Sequence, residues 1–242
     1  MVSRSVLVTG GLGGIGLAVA DAFADQGDKI ALVDARADGD GACQRLLSRG
    51  AADAIGIAAD VASEGAVAAA VERTIAAFGS LDVVVNVAGM MIYKEIADLT
   101  ADDWRRLLDV NLIGAALFTG QALRHMRPGG CVVNVASVHA RRTTSLVAPY
   151  AAAKAGLVSL TRSAAIEGRP RGIRVNAVLP GAIDTQMLRD SPAIRSGAEV
   201  LDPADVGQPE DVAGLVAFLA SDKARFITGE DVVADAGRMG RL

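Results

Sequence analysis

Short runs of β-branched and apolar residues alternate with longer amphipathic stretches along nearly the whole of the 242-residue chain. Alternation of this kind predicts βαβ units, and therefore a mainly parallel sheet with helices on both faces. We predict one doubly wound α/β domain that spans residues 1–242 and contains a seven-stranded sheet. The predicted strands are 5–9, 29–34, 53–58, 81–87, 130–136, 172–178 and 231–235. The predicted helices are 14–26, 40–49, 63–78, 101–126, 150–168 and 209–221.

The segment 182–208 interrupts this alternation. It mixes charged residues with apolar ones and contains Pro192 and Pro203. Loop-like segments of this length inside a compact domain are usually functional, so we predict a substrate flap here. An ordinary surface excursion is the alternative.

The first predicted strand leads into a glycine-rich turn and then into an amphipathic helix. Two dinucleotide patterns fit the turn at once. The pattern G-x-G-x-x-G falls on Gly11, Gly13 and Gly16. The pattern T-G-x-x-x-G-x-G falls on Thr9, Gly10, Gly14 and Gly16. Glycines let the backbone approach a ligand closely, and the free N–H groups of a helix N-terminus favour an anionic group such as a phosphate. A tight turn that binds no ligand is the alternative.

Asp34 ends the second predicted strand, eighteen residues after Gly16. An acidic residue at about this offset accepts hydrogen bonds from the adenosine ribose of a dinucleotide, and it disfavours the additional phosphate of NADP. The sequence therefore predicts NAD as the cofactor. Arg36, two residues further on, is the one nearby cation that would permit NADP.

Tyr150 and Lys154 are four residues apart at the start of an alanine-rich predicted helix, with Pro149 in its first turn. Positions i and i+4 share one face of a helix, so the phenol and the ammonium can point into the same space. Free tyrosine has a pKa of about 10. An ammonium about 5 Å away stabilises a phenolate by roughly 3 kcal/mol at an effective dielectric near 20. We therefore expect Lys154 to lower the pKa of Tyr150 and to prepare it as a proton carrier. An incidental pair on an exposed helix is the alternative.

Several glycines and polar residues follow predicted strands directly. In a doubly wound sheet, ligands bind beyond the carboxyl ends of the strands. We therefore expect one edge of the sheet to be lined by Gly10, Asp34, Asp60, Ala88, Gly89, Ser137, Pro180 and Gly181.

Taken together, these residues resemble the short-chain dehydrogenase/reductase family over essentially the whole chain. The resemblance rests on Thr9–Gly16, Asp60–Val61, Asn86–Gly89, Asn111, Ser137, Tyr150, Lys154, Pro180–Thr185, Ile227–Gly229 and Asp235–Gly237. Val87 and Ala236 depart from the residues that are usual in the family, and neither side chain carries chemistry. The resemblance implies a Rossmann-like fold and a homo-oligomer, most often a tetramer. The small alanines around Tyr150 agree with close helix packing between subunits.

The resemblance also implies the roles of individual residues. The implied catalytic residues are Asn111, Ser137, Tyr150 and Lys154. The implied cofactor-binding residues are Thr9, Gly10, Leu12, Gly14, Ile15, Gly16, Asp34, Asp60, Val61, Asn86, Ala88, Gly89, Tyr150, Lys154, Pro180, Gly181, Ile183 and Thr185. In this interpretation Ser137 binds the substrate oxygen and Asn111 positions a water in a proton relay toward Lys154. A core asparagine bonded only to backbone is the alternative for Asn111.

Substrate-contacting residues are predicted from their positions near these motifs. We expect an apolar wall from Met90, Met91, Val147 and Met187, and a polar contact from His139. Such a pocket is mostly apolar with one polar contact, which suits a secondary alcohol or ketone, including a cyclic one. A loop histidine without a role and ordinary packing are the alternatives.

Composition excludes other classes of function. A net charge of -4 argues against nucleic acid as the main partner, and no apolar run approaches the length of a membrane span. Cys43 and Cys131 have no metal-binding spacing, so neither a metal site nor a disulfide is expected. Strand-like sequence by Val6 leaves no room for a signal peptide, which predicts a cytoplasmic protein.

The sequence therefore predicts an NAD-dependent oxidoreductase that transfers a hydride between a small secondary alcohol, or its ketone, and the nicotinamide. One alternative is a reductase of 3-oxoacyl groups on a carrier protein, which usually prefers NADPH and so conflicts with Asp34. A second is a dinucleotide-binding sensor without catalysis, and a third is a purely structural oligomer.

Overall fold

A computed structural model describes residues 3–36, 39–197 and 200–240 of the chain. Its main sheet has seven strands in the order β3-β2-β1-β4-β5-β6-β9, and every neighbouring pair is parallel. The strands are β1 Ser5–Thr9, β2 Lys29–Asp34, β3 Asp53–Ala58, β4 Val83–Asn86, β5 Cys131–Val135, β6 Arg174–Pro180 and β9 Asp231–Ala234. The predicted Rossmann-like, doubly wound fold is confirmed. The strand order reverses between β1 and β4, where a sheet of this kind opens a crevice.

Helices cover both faces of the sheet. They are α1 Gly14–Ala24, α2 Asp40–Arg49, α3 Glu64–Phe78, α4 Ala101–Leu108, α5 Gly114–His125, α6 Ala148–Gly168, α7 Gln186–Arg189, α8 Pro192–Arg195 and α9 Pro209–Leu219. No helix in the described ranges is both long and apolar enough to cross a membrane.

The continuous apolar runs of the strands arise because both faces of the sheet are buried. In β1, Val6 and Val8 pack into one core with Phe23 of α1, whereas Leu7 packs into the opposite core with Phe118 of α5. A strand in this position needs an apolar side chain at every residue, which is why the parallel strands were recognisable in the sequence.

The predicted helical stretch 101–126 is helical over residues 101–125, but it contains a π-helical turn that was not predicted. A π-helical turn at Asp109–Ile113 separates α4 from α5. The Asn111 side chain lies at this turn, and its Nδ2 donates to the carbonyl of Leu107 at 3.0 Å. Such turns interrupt α-helices frequently at functional sites. The apolar stripe along 101–126 continues through the interruption, so hydrophobic spacing alone did not reveal it.

The predicted flap 182–208 contains regular structure. Its first and last residues form two short parallel strands, β7 Ala182–Ile183 and β8 Val206–Gly207, and α7 and α8 lie between them. Strands of two residues carry no periodicity that a sequence can show. The pairing closes the segment at its base and places Met187 and Leu188 over the crevice.

Ala236 has a left-handed backbone, with φ of +53°. This conformation costs a residue with a Cβ about 1–2 kcal/mol, whereas glycine adopts it freely but loses about 0.5–1 kcal/mol more conformational entropy on folding. We expect Ala236→Gly to raise the free energy of unfolding by roughly 0.5–1 kcal/mol, measured by urea denaturation. The matched control is Ala69→Gly on the exposed face of α3, which should lower it by about 1 kcal/mol. Equal losses in both variants would show that Ala236 stores no backbone strain.

Candidate active site

The glycine-rich turn after β1 is packed too tightly for other residues. Gly10 has a φ of +62°, and a Cβ on it would lie 2.9 Å from the Cα of Ala88. A Cβ on Gly16 would lie 2.1 Å from the carbonyl oxygen of Gly10. The glycine turn therefore packs directly against the loop that follows β4.

The start of α1 fits an anionic group. Gly13 caps the helix without a side-chain hydrogen bond, and the first turn contains no acidic residue. A Cβ on Gly14 would approach the Thr185 methyl carbon at 3.1 Å, so Thr185 borders this turn. These features suit a dinucleotide phosphate at the N–H groups of the first turn, with Gly14, Ile15 and Gly16 supplying them.

Asp34 is an anion that is already partnered. Its carboxylate accepts hydrogen bonds from Leu12 N at 3.1 Å and from Arg36 N and Nε at 3.1 and 3.0 Å. Burial raises the pKa of Asp34, but the hydrogen bonds from Arg36 and Leu12 outweigh this effect and leave the pKa below its usual value. Asp34, which favours NAD, and Arg36, which would permit NADP, therefore form an ion pair.

Asp60 and Val61 follow β3 at the adjacent part of the edge. Asp60 is exposed and accepts a hydrogen bond from Ala62 N at 2.9 Å. Together with Ala35 it borders a second, shallower groove. Val61 is buried, and its carbonyl oxygen would lie 2.9 Å from a Cβ on Gly114.

Ser137, Tyr150 and Lys154 converge at the inner end of the main cleft, and all three are buried. The Lys154 ammonium donates to the carbonyl of Val135 at 2.9 Å and lies 5.5 Å from the centre of the Tyr150 ring. Ser137 lies near enough to the Tyr150 phenol to lower the pKa of that phenol. The predicted sharing of one helix face by Tyr150 and Lys154 thus brings both to Ser137 at the end of β5.

The expectation that Lys154 lowers the pKa of Tyr150 is wrong for the chain by itself. Burial raises the pKa of Tyr150 to about 12, although Ser137 counteracts it in part. Burial also lowers the pKa of Lys154 to about 8. The physical reason is that the free-energy cost of burying a charged group exceeds the attraction between a phenolate and the ammonium, because the ammonium is directed toward the Val135 carbonyl.

Asn111 is held by backbone groups. Its Oδ1 accepts from Met90 N at 3.1 Å, and its Nδ2 donates to the carbonyls of Met90 at 3.1 Å and Leu107 at 3.0 Å. A Cβ on Gly89 would lie 2.9 Å from Asn111 Oδ1 and 3.8 Å from Lys154 Nζ, so the two side chains flank Gly89. These contacts match the alternative of a backbone-bonded core asparagine, and the proton relay stays a prediction.

Two residues predicted to contact the cofactor have side chains that bond to other parts of the fold, and their cofactor contacts stay a prediction. The Thr9 hydroxyl accepts hydrogen bonds from Val87 N and Ala88 N at 3.0 and 3.1 Å, which fixes the loop after β4. The Asn86 side chain is buried and donates to Asn134 Oδ1 at 2.8 Å, so it faces the core rather than the cleft. The burial of a strand end is decided by the neighbouring strands, which a local motif does not describe.

The main cleft has a volume of about 690 Å³. Many of the predicted residues line it, namely Ile15, Gly89, Ser137, His139, Val147, Tyr150, Lys154, Pro180, Gly181, Ile183, Thr185 and Met187. Of the two methionines predicted for its apolar wall, Met91 lines the cleft and Met90 does not, and the backbone of Met90 is held by Asn111. His139 meets the Tyr150 ring edge-on, with 5.9 Å between ring centres.

Further residues line the cleft that were not predicted to do so. They are Tyr93, Arg142, Thr143, Asp235, Arg238 and Met239. Arg142 donates to the carbonyl of Met239 at 2.8 Å, which joins the loop after β5 to the C-terminal turn. Their arrangement depends on contacts between distant segments. The one available signal was that Tyr93 is the only tyrosine besides Tyr150.

A parallel sheet with a glycine turn at its switch point, beside a buried tyrosine and lysine, defines an oxidoreductase of the nicotinamide dinucleotide class. The family model described as enoyl-(acyl carrier protein) reductase matches residues 10–238. The chain belongs to the short-chain dehydrogenase/reductase family. It is an oxidoreductase of hydroxyl and carbonyl groups.

Relatives in this family align along their whole length. The cis-4-hydroxycyclohexanecarboxylate dehydrogenase of Sinomonas cyclohexanicum is 39% identical over 97% of this chain and 96% of its own. The 3beta-hydroxysteroid dehydrogenase 1 of Eggerthella lenta is 35% identical over 97% of this chain and 93% of its own. Among solved structures, levodione reductase has a TM-score of 0.92 at 34% identity, covering 99% of this chain and 98% of that one. A blue fluorescent protein from a metagenomic library, in complex with NADPH, has a TM-score of 0.88 at 34% identity and covers 97% of each chain.

The buried ammonium predicts a pH dependence of stability. Because the pKa of Lys154 is about 8 in the folded protein against 10.5 ordinarily, the unfolded chain binds more protons between these values, and stability rises with pH across this window. Above about pH 10 the raised pKa of Tyr150 reverses the trend, since the unfolded chain then loses the phenol proton first. We expect Lys154→Met to remove about 2 kcal/mol of the rise between pH 7 and 10. Urea denaturation of both proteins across this range measures it, and parallel curves would show that Lys154 keeps an ordinary pKa.

Proposed function

We propose that this protein is an NAD(H)-dependent oxidoreductase that interconverts a secondary alcohol on a ring and the corresponding ketone. The observation that carries the proposal is the convergence of the Ser137 hydroxyl, the Tyr150 phenol and the Lys154 ammonium at the inner end of a mainly apolar cleft. A substrate oxygen at this point would meet hydroxyl groups that can hydrogen-bond it, while the rest of the molecule lies against apolar side chains.

Each residue has a role that follows from its chemistry. Ser137 donates a hydrogen bond to the substrate oxygen, and Tyr150 exchanges a proton with that oxygen through its phenol. With a pKa of about 12 the phenol is protonated at neutral pH, which suits the donation of a proton to a ketone that is being reduced. Lys154 places a positive charge beneath the ring. Bound at the α1 turn, the nicotinamide dinucleotide supplies or accepts the hydride.

The apolar lining supports a cyclic substrate. Met91, Val147, Met187, Leu188 and Ile194 line the cleft, whose volume of about 690 Å³ accommodates a ring. Relatives named for cyclohexane and steroid substrates agree with this class. His139, edge-on to Tyr150, and Met187 are proposed to influence which ring alcohol is preferred.

Removal of the phenolic oxygen tests the proton carrier. In Tyr150→Phe the ring remains, so NADH binding should persist while turnover of cyclohexanol-type alcohols and cyclic ketones falls at least about 10²-fold. NADH absorbance measures turnover, and NADH fluorescence measures binding. Activity within a few-fold of the wild type would remove Tyr150 from the mechanism. A wild-type protein that binds NADH without any turnover would favour the sensor instead.

Preference for NAD over NADP is proposed to come from Asp34. A ribose phosphate about 4 Å from its carboxylate is repelled by roughly 4 kcal/mol at an effective dielectric near 20, less with salt. Because Arg36 already pairs with Asp34, its charge offsets part of this repulsion, and a structural neighbour holds NADPH. The preference is therefore smaller than an unpaired carboxylate would give.

We expect the wild-type protein to prefer NAD by at least about 10-fold in kcat/KM, since the carboxylate remains charged. Asp34→Ala should lower kcat/KM with NAD and so bring the values for the two cofactors closer together. Arg36→Gln should lower the remaining kcat/KM with NADP. Measurement of kcat/KM with both cofactors for the three proteins decides the question. A wild-type preference for NADP would show that Arg36, and not Asp34, determines the cofactor preference.

A homo-oligomer, most often a tetramer in this family, is also proposed, as is a cytoplasmic location. Exposed apolar side chains support association. Phe226 is fully exposed and Ile166 is 74% exposed. Large apolar groups in such positions are common at interfaces between subunits.

A further inference from the structure

Four buried polar side chains form a hydrogen-bonded chain in the core next to the candidate active site. They are Asn86 on β4, Thr119 on α5, Asn134 on β5 and Thr161 on α6, and none is more than 3% exposed. The residues that define the active site do not include Thr119, Asn134 or Thr161. Buried polar groups of this kind cost free energy unless they are paired, so their arrangement calls for a physical account.

Asn134 lies at the centre of this chain, and both ends of its amide are occupied. Its Oδ1 accepts from Asn86 Nδ2 at 2.8 Å, and its Nδ2 donates to Thr161 Oγ1 at 2.9 Å. The Thr161 hydroxyl in turn donates a hydrogen bond to the carbonyl of Leu157 at 2.8 Å. The directions of the two Asn134 bonds are thereby fixed, and β5 is joined to α6 by a single orientation of this amide, while Asn86 Oδ1 has no hydrogen-bond partner among the described residues.

A second bond joins the same two elements one residue further along β5. The Lys154 ammonium donates to the carbonyl of Val135, which follows Asn134 directly. Lys154 and Thr161 are seven residues apart, close to two helical turns, so both lie on the face of α6 that contacts β5. Two bonds separated by about 10 Å along the helix axis prevent both sliding and rotation of α6.

We propose that Asn134 and Thr161 are positioning residues that set the register of α6 on β5 and thereby hold the Tyr150 phenol against Ser137. Tyr150 lies on α6, one turn before Lys154, and Ser137 lies three residues after Asn134. The inference rests on the proposed function, since it assigns these residues to the alignment of the same catalytic groups.

Proton transfer between a phenol and a substrate oxygen depends steeply on distance. A shift of α6 by a fraction of an ångström changes the distance between the Tyr150 phenol and the Ser137 hydroxyl, and a misplacement of about 1 Å can reduce a reaction rate about 10²-fold. Loss of the Thr161 hydroxyl leaves the Asn134 amide buried without its acceptor, and α6 must move for that donor to find another. Because Ser137 lowers the pKa of Tyr150, a displaced phenol titrates at higher pH.

Thr161→Val tests the proposal, because it removes the hydroxyl and keeps the shape of the side chain. We expect kcat for ring alcohols to fall about 10-fold and the acidic limb of its pH profile to move up by at least about 0.5 units. Thr161→Ser, which retains the hydroxyl, should restore both. Should the valine variant not fold, Thr161→Cys carries the same comparison, because a thiol is a weaker donor and acceptor.

The matched control is Thr74→Val on α3. Thr74 is also fully buried on a helix, and its hydroxyl likewise donates to the carbonyl four residues earlier, Ala70, at 2.8 Å. This hydrogen bond lies within α3 and does not reach the β5–α6 junction, so loss of the Thr74 hydroxyl should lower the melting temperature to a similar extent and leave the pH profile unchanged.

A second measurement is independent of turnover. Since the chain has two tyrosines, Tyr93→Phe leaves Tyr150 as the only phenol, and its ¹³Cζ NMR resonance then reports on the surroundings of that phenol alone. In this background Thr161→Val should shift the resonance, whereas Thr161→Ser and Thr74→Val should not. An unshifted resonance together with a pH profile like that of Thr74→Val would overturn the positioning role. A shifted resonance in a protein that turns over no alcohol or ketone would overturn the proposed function and leave the positioning role intact.

Discussion

The Lys154 ammonium, buried and bonded to the carbonyl of Val135, is the interaction on which the rest of the site depends. Burial of a charge costs free energy unless the charge is hydrogen-bonded. The carbonyl that accepts the hydrogen bond of Lys154 belongs to Val135, the last residue of the central strand β5. The bond therefore requires α6 to lie against β5 at one height. Tyr150 on the helix and Ser137 beyond the strand are brought together by the same requirement. The lowered pKa of Lys154 and the raised pKa of Tyr150 are two consequences of the burial that makes this junction rigid.

Close backbone contacts connect the two sides of the crevice. Gly10 packs on Ala88, and the Thr9 hydroxyl binds the N–H groups of Val87 and Ala88, so the turn before α1 and the loop after β4 behave as one unit. Gly89 then lies between Asn111 and Lys154. Two short steps of packed backbone thus connect the glycine turn with the Lys154 end of the cleft.

The sequence predicted some levels of this architecture better than others. Strands of the main sheet were found within a few residues, because burial on both faces leaves apolar runs bounded by turn residues. The π-helical turn at Asn111 was missed, since the apolar spacing continues through it. The two-residue strands at Ala182–Ile183 and Val206–Gly207 have no local signal at all. Met90 and Met91 were both predicted for the cleft and only Met91 lines it, because the direction of a side chain in an irregular loop is set by its tertiary contacts.

What the sequence determined by itself was the set of residues whose reasons are local. The backbone at residue 10 has a φ of +62° that favours glycine, and a Cβ on Gly16 would collide with the carbonyl of Gly10 six residues earlier. The apolar run Val6–Val8 indicates burial on both faces, and the spacing of Tyr150 and Lys154 places both on one helix face. Only the tertiary structure decided which of these groups carry charge, what they are bonded to and which distant segments complete the cleft. It paired Arg36 with Asp34, turned Asn86 into the core, raised the pKa of Tyr150 and brought Asp235 and Arg238 to the cleft wall. The physical reason is that backbone conformation and periodicity act over a few residues, whereas desolvation and hydrogen-bond pairing depend on every segment that packs around a group.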